Sequence, residues 1–215
     1  MAVKTLLASL LLGAAALGAT LPAAADIVPA SFTANDGDGK GYYPGGLSGF
    51  LTVNWDTAAP NVGLAQFDLS SYAPGSVSSA VLDLYQLYNS AQGAQYGIFR
   101  NTSAWVGVTT DFASRPGTDS LPSAVLTLPD PNSFVHRTID ITPLVQGWVN
   151  GDYANNGLTL QRLDDPNPLV YFIASDSSGY PAPVLLINAV PEPETVAMLL
   201  AGLGMLVVLR RRSVA

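Results

Sequence analysis

The sequence predicts an all-β domain, a sandwich or barrel of short antiparallel strands with one short helix. Twenty glycines and sixteen prolines among 215 residues, with frequent Ser and Asn, cut the chain into short apolar stretches bounded by turn formers. Within those stretches apolar and polar residues alternate. In residues 63–69, Ala65, Phe67 and Leu69 share one face and Gln66 and Asp68 the other. In residues 80–87, Ala80, Leu82 and Leu84 point inward and Asp83 outward. One stretch keeps helical spacing instead, with Leu144, Val145, Trp148 and Val149 recurring on one side.

In chain order, a first strand is expected over 27–32. Residues 35–41 follow, Asn-Asp-Gly-Asp-Gly-Lys-Gly, too rich in glycine for anything but a loop. Asp36 and Asp38 in that loop could supply oxygen ligands to a structural Ca²⁺ ion, or form a solvated turn; the full EF-hand spacing is absent. Strands are expected at 50–53, 63–69 and 80–87, with residues 70–79 and their Pro74-Gly75 pair linking the last two. Further strands fall at 95–100, 125–128 and 134–140, the last carrying His136, read as a surface strand residue and not a ligand. Thr142 is the expected N-cap of the helix, with Pro143 at its first position and Gly151 beyond its end. On this reading Trp148 packs against one end of the sandwich. Asp140, just ahead of the helix, is expected to help cap it. Strands at 157–161, 170–174 and 184–188 complete the domain.

Both ends of the chain have a different character. Residues 1–25 carry Lys4, an apolar core from Leu6 to about Leu17 and Ala23-Ala24-Ala25 before Asp26, the layout of a secretory signal peptide removed by signal peptidase. At the other end, residues 191–215 begin Pro191-Glu192-Pro193, continue in an apolar run over 196–209 and close on Arg210-Arg211-Arg212. That run is about 21 Å long as a helix, short of the ~20 residues that span a bilayer comfortably. The arginines favour a cytoplasmic end and place everything ahead of Thr195 across the membrane. An ordinary tail anchor is the alternative. Between the ends lies one domain, residues 26–190, long enough for its own core.

This tail resembles the PEP-CTERM sorting signal of bacterial surface proteins, named for the tripeptide at 191–193. The resemblance implies that a membrane-embedded exosortase removes the tail. The protein would then pass through the inner membrane of a Gram-negative-type bacterium, be held there transiently, and reach the cell surface or extracellular matrix.

Composition narrows the function further. The absence of cysteine excludes disulfides and thiol chemistry, and a single histidine excludes a multi-His metal centre. Residues 26–190 hold fourteen aspartates against Lys40, Arg100, Arg115, Arg137 and Arg162. Nucleic acid is not an expected partner of so acidic a surface, nor is a membrane once the tail is gone.

A second resemblance covers nearly the whole domain. The segments 63–71 and 79–85, then Trp105 with Arg115-Pro116, look like the first half of a DNRLRE domain. Residues 139–151, Asn155-Asn156-Gly157-Leu158, 172–176 and Pro183-Val184-Leu185 look like its second half. The family implies a jelly-roll β-sandwich of secreted and surface proteins, some of which are carbohydrate-binding modules for acidic polysaccharides such as alginate. Here Ser175-Asp176 stands where such domains commonly carry Ser-Arg-Glu, so an arginine suited to a uronate is missing. A neutral glycan, or an acidic one bridged by Ca²⁺, fits the charge better.

The expected function is therefore binding of extracellular polysaccharide by an exported, exosortase-sorted protein without catalytic activity. The glycan-stacking candidates are Tyr42, Tyr43, Trp55, Trp105 and Tyr180, with Trp105 alternatively a lid on the sandwich edge, the role that gains more from burial. A structural matrix protein with no sugar site is the second reading. A polysaccharide-degrading enzyme is the third, and neither a spaced carboxylate pair nor a nucleophile elbow supports it.

Overall fold

The computed structural model describes residues 25–36, 43–44, 50–53, 62–89, 92–105, 115–129, 134–163, 170–173 and 181–190, and the exposed helical residues 201, 202 and 204. The strands are β1 (Asp26–Asp36), β2 (Tyr43–Pro44), β3 (Phe50–Val53), β4 (Val62–Phe67), β5 (Val77–Asn89), β6 (Ala94–Arg100), β7 (Ala124–Leu128), β8 (Val135–Asp140), β9 (Leu158–Arg162), β10 (Val170–Ile173) and β11 (Val184–Ala189). One helix, α1 (Thr142–Asn150), interrupts them. Among the described residues every strand pairing is antiparallel and falls between residues 26 and 189, so this segment carries its own core.

The strands form two layers joined by β1. In the first layer the long β5 pairs with β11 over residues 77–83, with β10 over 86–89 and with β8 over 81–86, while β3 flanks β10. In the second, β4, β9, β6 and β7 lie in that order. Strand β1 serves both layers: Asp26 to Pro29 pair with β11, and Ala30 onward pairs with β4 after a bulge at Ser31. Pro29 has no N–H to give the ladder, and the extra residue of the bulge bends the strand, which together let it change sheets. The layers meet through Leu82, Leu84, Phe172, Leu185 and Ile187 from one side and Phe67, Tyr96, Ile98, Leu158 and Leu160 from the other. The Tyr96 and Phe172 rings close that contact edge to face at 6.3 Å.

The residues expected to face inward, Ala65, Phe67, Leu69, Ala80, Leu82 and Leu84, are buried; alternation runs through β5 but in β4 begins only at Ala65, since Val62, Gly63 and Leu64 are buried as well. Two expectations need correction. Asn35 and Asp36 are the last residues of β1 and not part of a loop, because Gly63 and Val62 on β4 remain opposite them and ladder bonds outweigh poor strand propensity. The pairing of Asn35 with Tyr43 in β2 was not anticipated. Thr142 is not the N-cap; Ile141 is, with no side-chain cap. The Thr142 hydroxyl instead accepts from Ala80 N at 2.9 Å, tying helix to sheet, while Asp140 Oδ1 accepts the Thr142 N–H at 2.8 Å.

Helix α1 is seated on the end of β5. Gln146 Nε2 donates to Val77 O at 3.0 Å and Gly75 N donates to Asn150 Oδ1 at 2.8 Å. Leu144, Val145, Gly147 and Trp148 are its buried residues. Gly147 is required there, since a Cβ would sit 2.1 Å from the Tyr153 hydroxyl, which itself donates to the carbonyls of Pro143 and Leu144. The helix ends on Gly151 in the left-handed conformation (φ 79°), as a C-terminal glycine does. Among the described residues no helix is long and apolar enough to cross a membrane.

Candidate functional site

Where β1 changes sheets, β4 ends and α1 passes over, an open groove of about 640 Å³ forms. Its walls come from three separate segments. Ser31 lies on the β1 bulge, Gln66 to Ser70 and Tyr72 follow from β4, and Trp148, Val149 and Asn155 belong to α1 and the loop beyond it.

Each wall is fixed by its own backbone. Past Phe67 the chain turns on Asp68, whose Oδ1 accepts the Ser70 N–H at 3.0 Å, the local bond that makes Asp-x-Ser a turn. Hydrogen bonds from the Ser70 side chain and then its backbone hold the exposed Asp68 carboxyl below the usual carboxylate range, so it is ionised at neutral pH. Tyr72 N donates to Leu69 O at 3.1 Å, and the Tyr72 hydroxyl donates to Asp26 Oδ2 at 3.2 Å. Burial, and then the Asp26 charge, raise that phenol above its ordinary pKa.

Opposite, Asn155 Nδ2 donates to Phe67 O at 2.8 Å, and its Oδ1 accepts Gly157 N at 3.2 Å. Gly157 has φ 76°, and a Cβ there would lie 2.4 Å from Ala65 O, so only glycine lets this loop press against β4. Ser31 Oγ donates to Gln66 O at 2.9 Å across the switch. Trp148, 6% exposed, lines the inner wall, and its buried indole Nε1 is without a hydrogen-bond partner.

The lining thus combines an ionised acceptor, two carboxamides, hydroxyls and three aromatic side chains, with no Lys or Arg. Such a surface can hydrogen-bond hydroxyl groups and offer rings to C–H faces. It has nothing with which to neutralise an anion. None of its residues was singled out beforehand as a ligand contact; Asp68 and Trp148 were read only as an outward strand residue and a packing residue. The Asp68-Leu69-Ser70 turn and the Asn155-Asn156-Gly157 run were the available signals.

Of the candidates named from sequence, those within the described residues do not line this groove. Trp105 is half-buried on the far side of β9, where its Nε1 donates to Asn156 O at 2.7 Å. Tyr43 is in β2, and Asp36 ends β1 opposite Val62. Tyr42, Trp55, Tyr180 and Asp38 lie outside the described residues, as do Pro191, Glu192, Pro193, Arg210, Arg211 and Arg212. Among the described residues no cluster of three or more His, Asp or Glu side chains is placed to hold a metal.

A family model described as carbohydrate-binding module family 96 matches residues 46–189, and one described as the PEP-CTERM protein-sorting motif matches residues 189–213. No curated protein matches the chain.

Proposed function

Because the chain belongs to carbohydrate-binding module family 96 and ends in a sorting motif for exosortase-dependent export, we propose that it binds a neutral extracellular polysaccharide in the groove between β4 and α1. After its tail is removed it serves this role at the cell surface or in the matrix, without catalysis. The observation that carries the reading is the groove lining itself, where the ionised Asp68, the carboxamides of Gln66 and Asn155, the Ser31 and Ser70 hydroxyls and the Tyr72 ring meet with no Lys or Arg.

The division of labour follows from the chemistry. Asp68 accepts sugar hydroxyls through charge-assisted hydrogen bonds, stronger than neutral ones. Tyr72, half-buried and pinned by Asp26, offers a rigid ring at little entropic cost. A uronate or sulfate would meet Asp68 with no compensating cation among the groove residues.

Affinity electrophoresis of residues 26–190 through gels containing a galactomannan, a xylan, a β-glucan or dextran, beside alginate and pectin, tests this. Retardation by at least one neutral polymer, weakened in Asp68→Ala and Tyr72→Ala, is the expected result. Migration unchanged in every gel overturns it and leaves a structural matrix role. Repeating the gels and the thermal unfolding with Ca²⁺ and with chelator tests an ion at Asp36 and Asp38: loss of binding or of stability on chelation supports the ion, and no change removes it.

A further inference from the structure

The outer face of the first layer holds a second set of groups suited to sugar, none of them shared with the groove. Strand register assembles it. Pro29, Val184, Asp83 and Thr138 form one row across β1, β11, β5 and β8; Ile27, Leu186, Val81 and Asp140 form the next; Tyr85 and His136 stand beside the first row on its other side. Three strand spacings make the rows about 14 Å wide. No residue of this face lines the groove.

Its centre is ordered. His136 Nδ1 donates to the Asp83 carboxylate, 2.9 Å from Oδ2 and 3.0 Å from Oδ1, which fixes the ring although the His136 side chain is 53% exposed. The held imidazole stands edge-on to Tyr85, with centroids 4.9 Å apart and planes at 79°. Tyr88, 44% exposed, lies farther along β5. The result is a fixed aromatic corner beside a carboxylate and the Thr138 hydroxyl, continuing into a strip of aliphatic side chains, half-buried at Val81, Val184 and Leu186 and exposed at Ile27 and Pro29.

Two occupants could cover such a face, and charge separates them. A second copy stacked on it would set Asp83 and Asp140 against the same carboxylates, with His136 as the titratable base among these rows. A neutral polysaccharide meets no such repulsion, lays C–H faces on Tyr85 and the aliphatic strip, and hydrogen-bonds Thr138, His136 and Asp83.

We infer that the Tyr85–His136–Asp83 face is a second polysaccharide-binding site, and that with the groove it makes one domain a cross-linker of neutral glycan chains. The cross-linking half rests on the groove binding sugar; the second site does not. Two sites on one rigid domain bring separate chains together without any oligomer, and on one long chain they raise the apparent affinity by multivalency.

Residues 26–190 are mixed with beads coated with whichever neutral polymer retards the protein in gels, and agglutination is scored beside gel affinity. Four proteins are compared: wild type, Tyr85→Ala, His136→Ala and Asp68→Ala. The exposed His136→Ala keeps the test open if Tyr85→Ala fails to fold, which circular dichroism reports. Wild type is expected to agglutinate, and each variant to stay gel-retarded with affinity lowered about tenfold or more and agglutination lost. If His136→Ala and Tyr85→Ala match wild type in both assays, the second site is wrong while the groove stands. If Asp68→Ala alone removes all binding, the second site is again excluded. If Asp68→Ala changes nothing and the face variants lose all binding, the groove reading fails and cross-linking with it, while the second site holds.

Discussion

The two layers of the sandwich solve the same burial problem differently. In the first, β8 alternates half-buried and exposed residues along its whole length, and β5 buries Ala80, Leu82, Leu84 and Gln86 while Val81, Asp83 and Tyr85 face outward. One side of that layer is wet. In the second layer, four successive residues of β4, from Val62 to Ala65, are buried, as are Leu158, Thr159 and Leu160 of β9. Its outer side is covered by the segment after β6: Asn101 bridges to Thr118, Pro116 is buried against it, and the Phe99 ring lies over Gly97. A sheet covered on both faces loses the period-2 signature, whereas a half-wet one keeps it. The wet layer is free to present a surface; the covered layer must satisfy polar groups internally.

That contrast predicts where substitutions are costly. The largest effect is expected at Gly157, where the covered layer meets the groove. Alanine would be strained at φ 76° and would collide with Ala65 O, a backbone atom that cannot swing away. Gly157→Ala is expected to destabilise by about 3 kcal/mol, lowering Tm by roughly 6–12 °C in calorimetry for a domain of this size. Gly75→Ala, at φ 77° with open space around it, isolates the conformational part and is expected to cost about 1 kcal/mol. Equal losses at the two positions would mean that the close approach to β4 contributes nothing.

The next effect belongs to the polar network under the cover. Asn101 is fully buried; its Oδ1 accepts the Thr159 hydroxyl at 2.6 Å and its Nδ2 donates to Asn156 O at 3.1 Å. Asn156 O keeps Trp105 Nε1 when Asn101 is truncated, but the Thr159 hydroxyl loses its partner. Asn101→Ala is therefore expected to cost about 2 kcal/mol in urea unfolding. Adding Thr159→Val should recover part of it, because the stranded hydroxyl is gone. A strictly additive double variant would show that the pair is not coupled.

These differences also explain what could be read in advance. The inward residues of β5 and the strands at 50–53 and 170–173 were legible because one apolar face, or a short apolar run between turn formers, leaves a mark on the sequence. The two-residue β2 left none; its existence depends on β1 continuing through Asn35, a choice made by β4 and not by local preference. The groove was less legible still. Gln66 and Asn155 lie 89 residues apart and meet because β9 pairs with β4. Trp148 shows the same limit: helical spacing correctly assigns it to the buried side of α1, but spacing carries no information on whether the indole N–H finds a partner.

The smallest effect is expected on the wet layer, at the start of α1. Asp140 is exposed, and hydrogen bonds from the Thr142 side chain and then its backbone N–H lower its carboxyl pKa from the usual 3.8. A carboxyl whose pKa is depressed on folding contributes stability that is fully present above the unfolded value and disappears as pH falls through the folded one. Solvent screening keeps that contribution to about half a kcal/mol. Asp140→Asn should thus lower Tm by only a degree or two at pH 7 and flatten the decline below pH 4. Tyr72 works in the opposite direction: its raised phenol pKa supplies stability that is complete below pH 10 and lost above it, so Tyr72→Phe should flatten the alkaline limb. If Asp140→Asn leaves the alkaline limb unchanged, the helix start and the groove wall titrate independently; a change in that limb from Asp140→Asn would mean that the two ends of α1 are coupled through the sheet on which it rests.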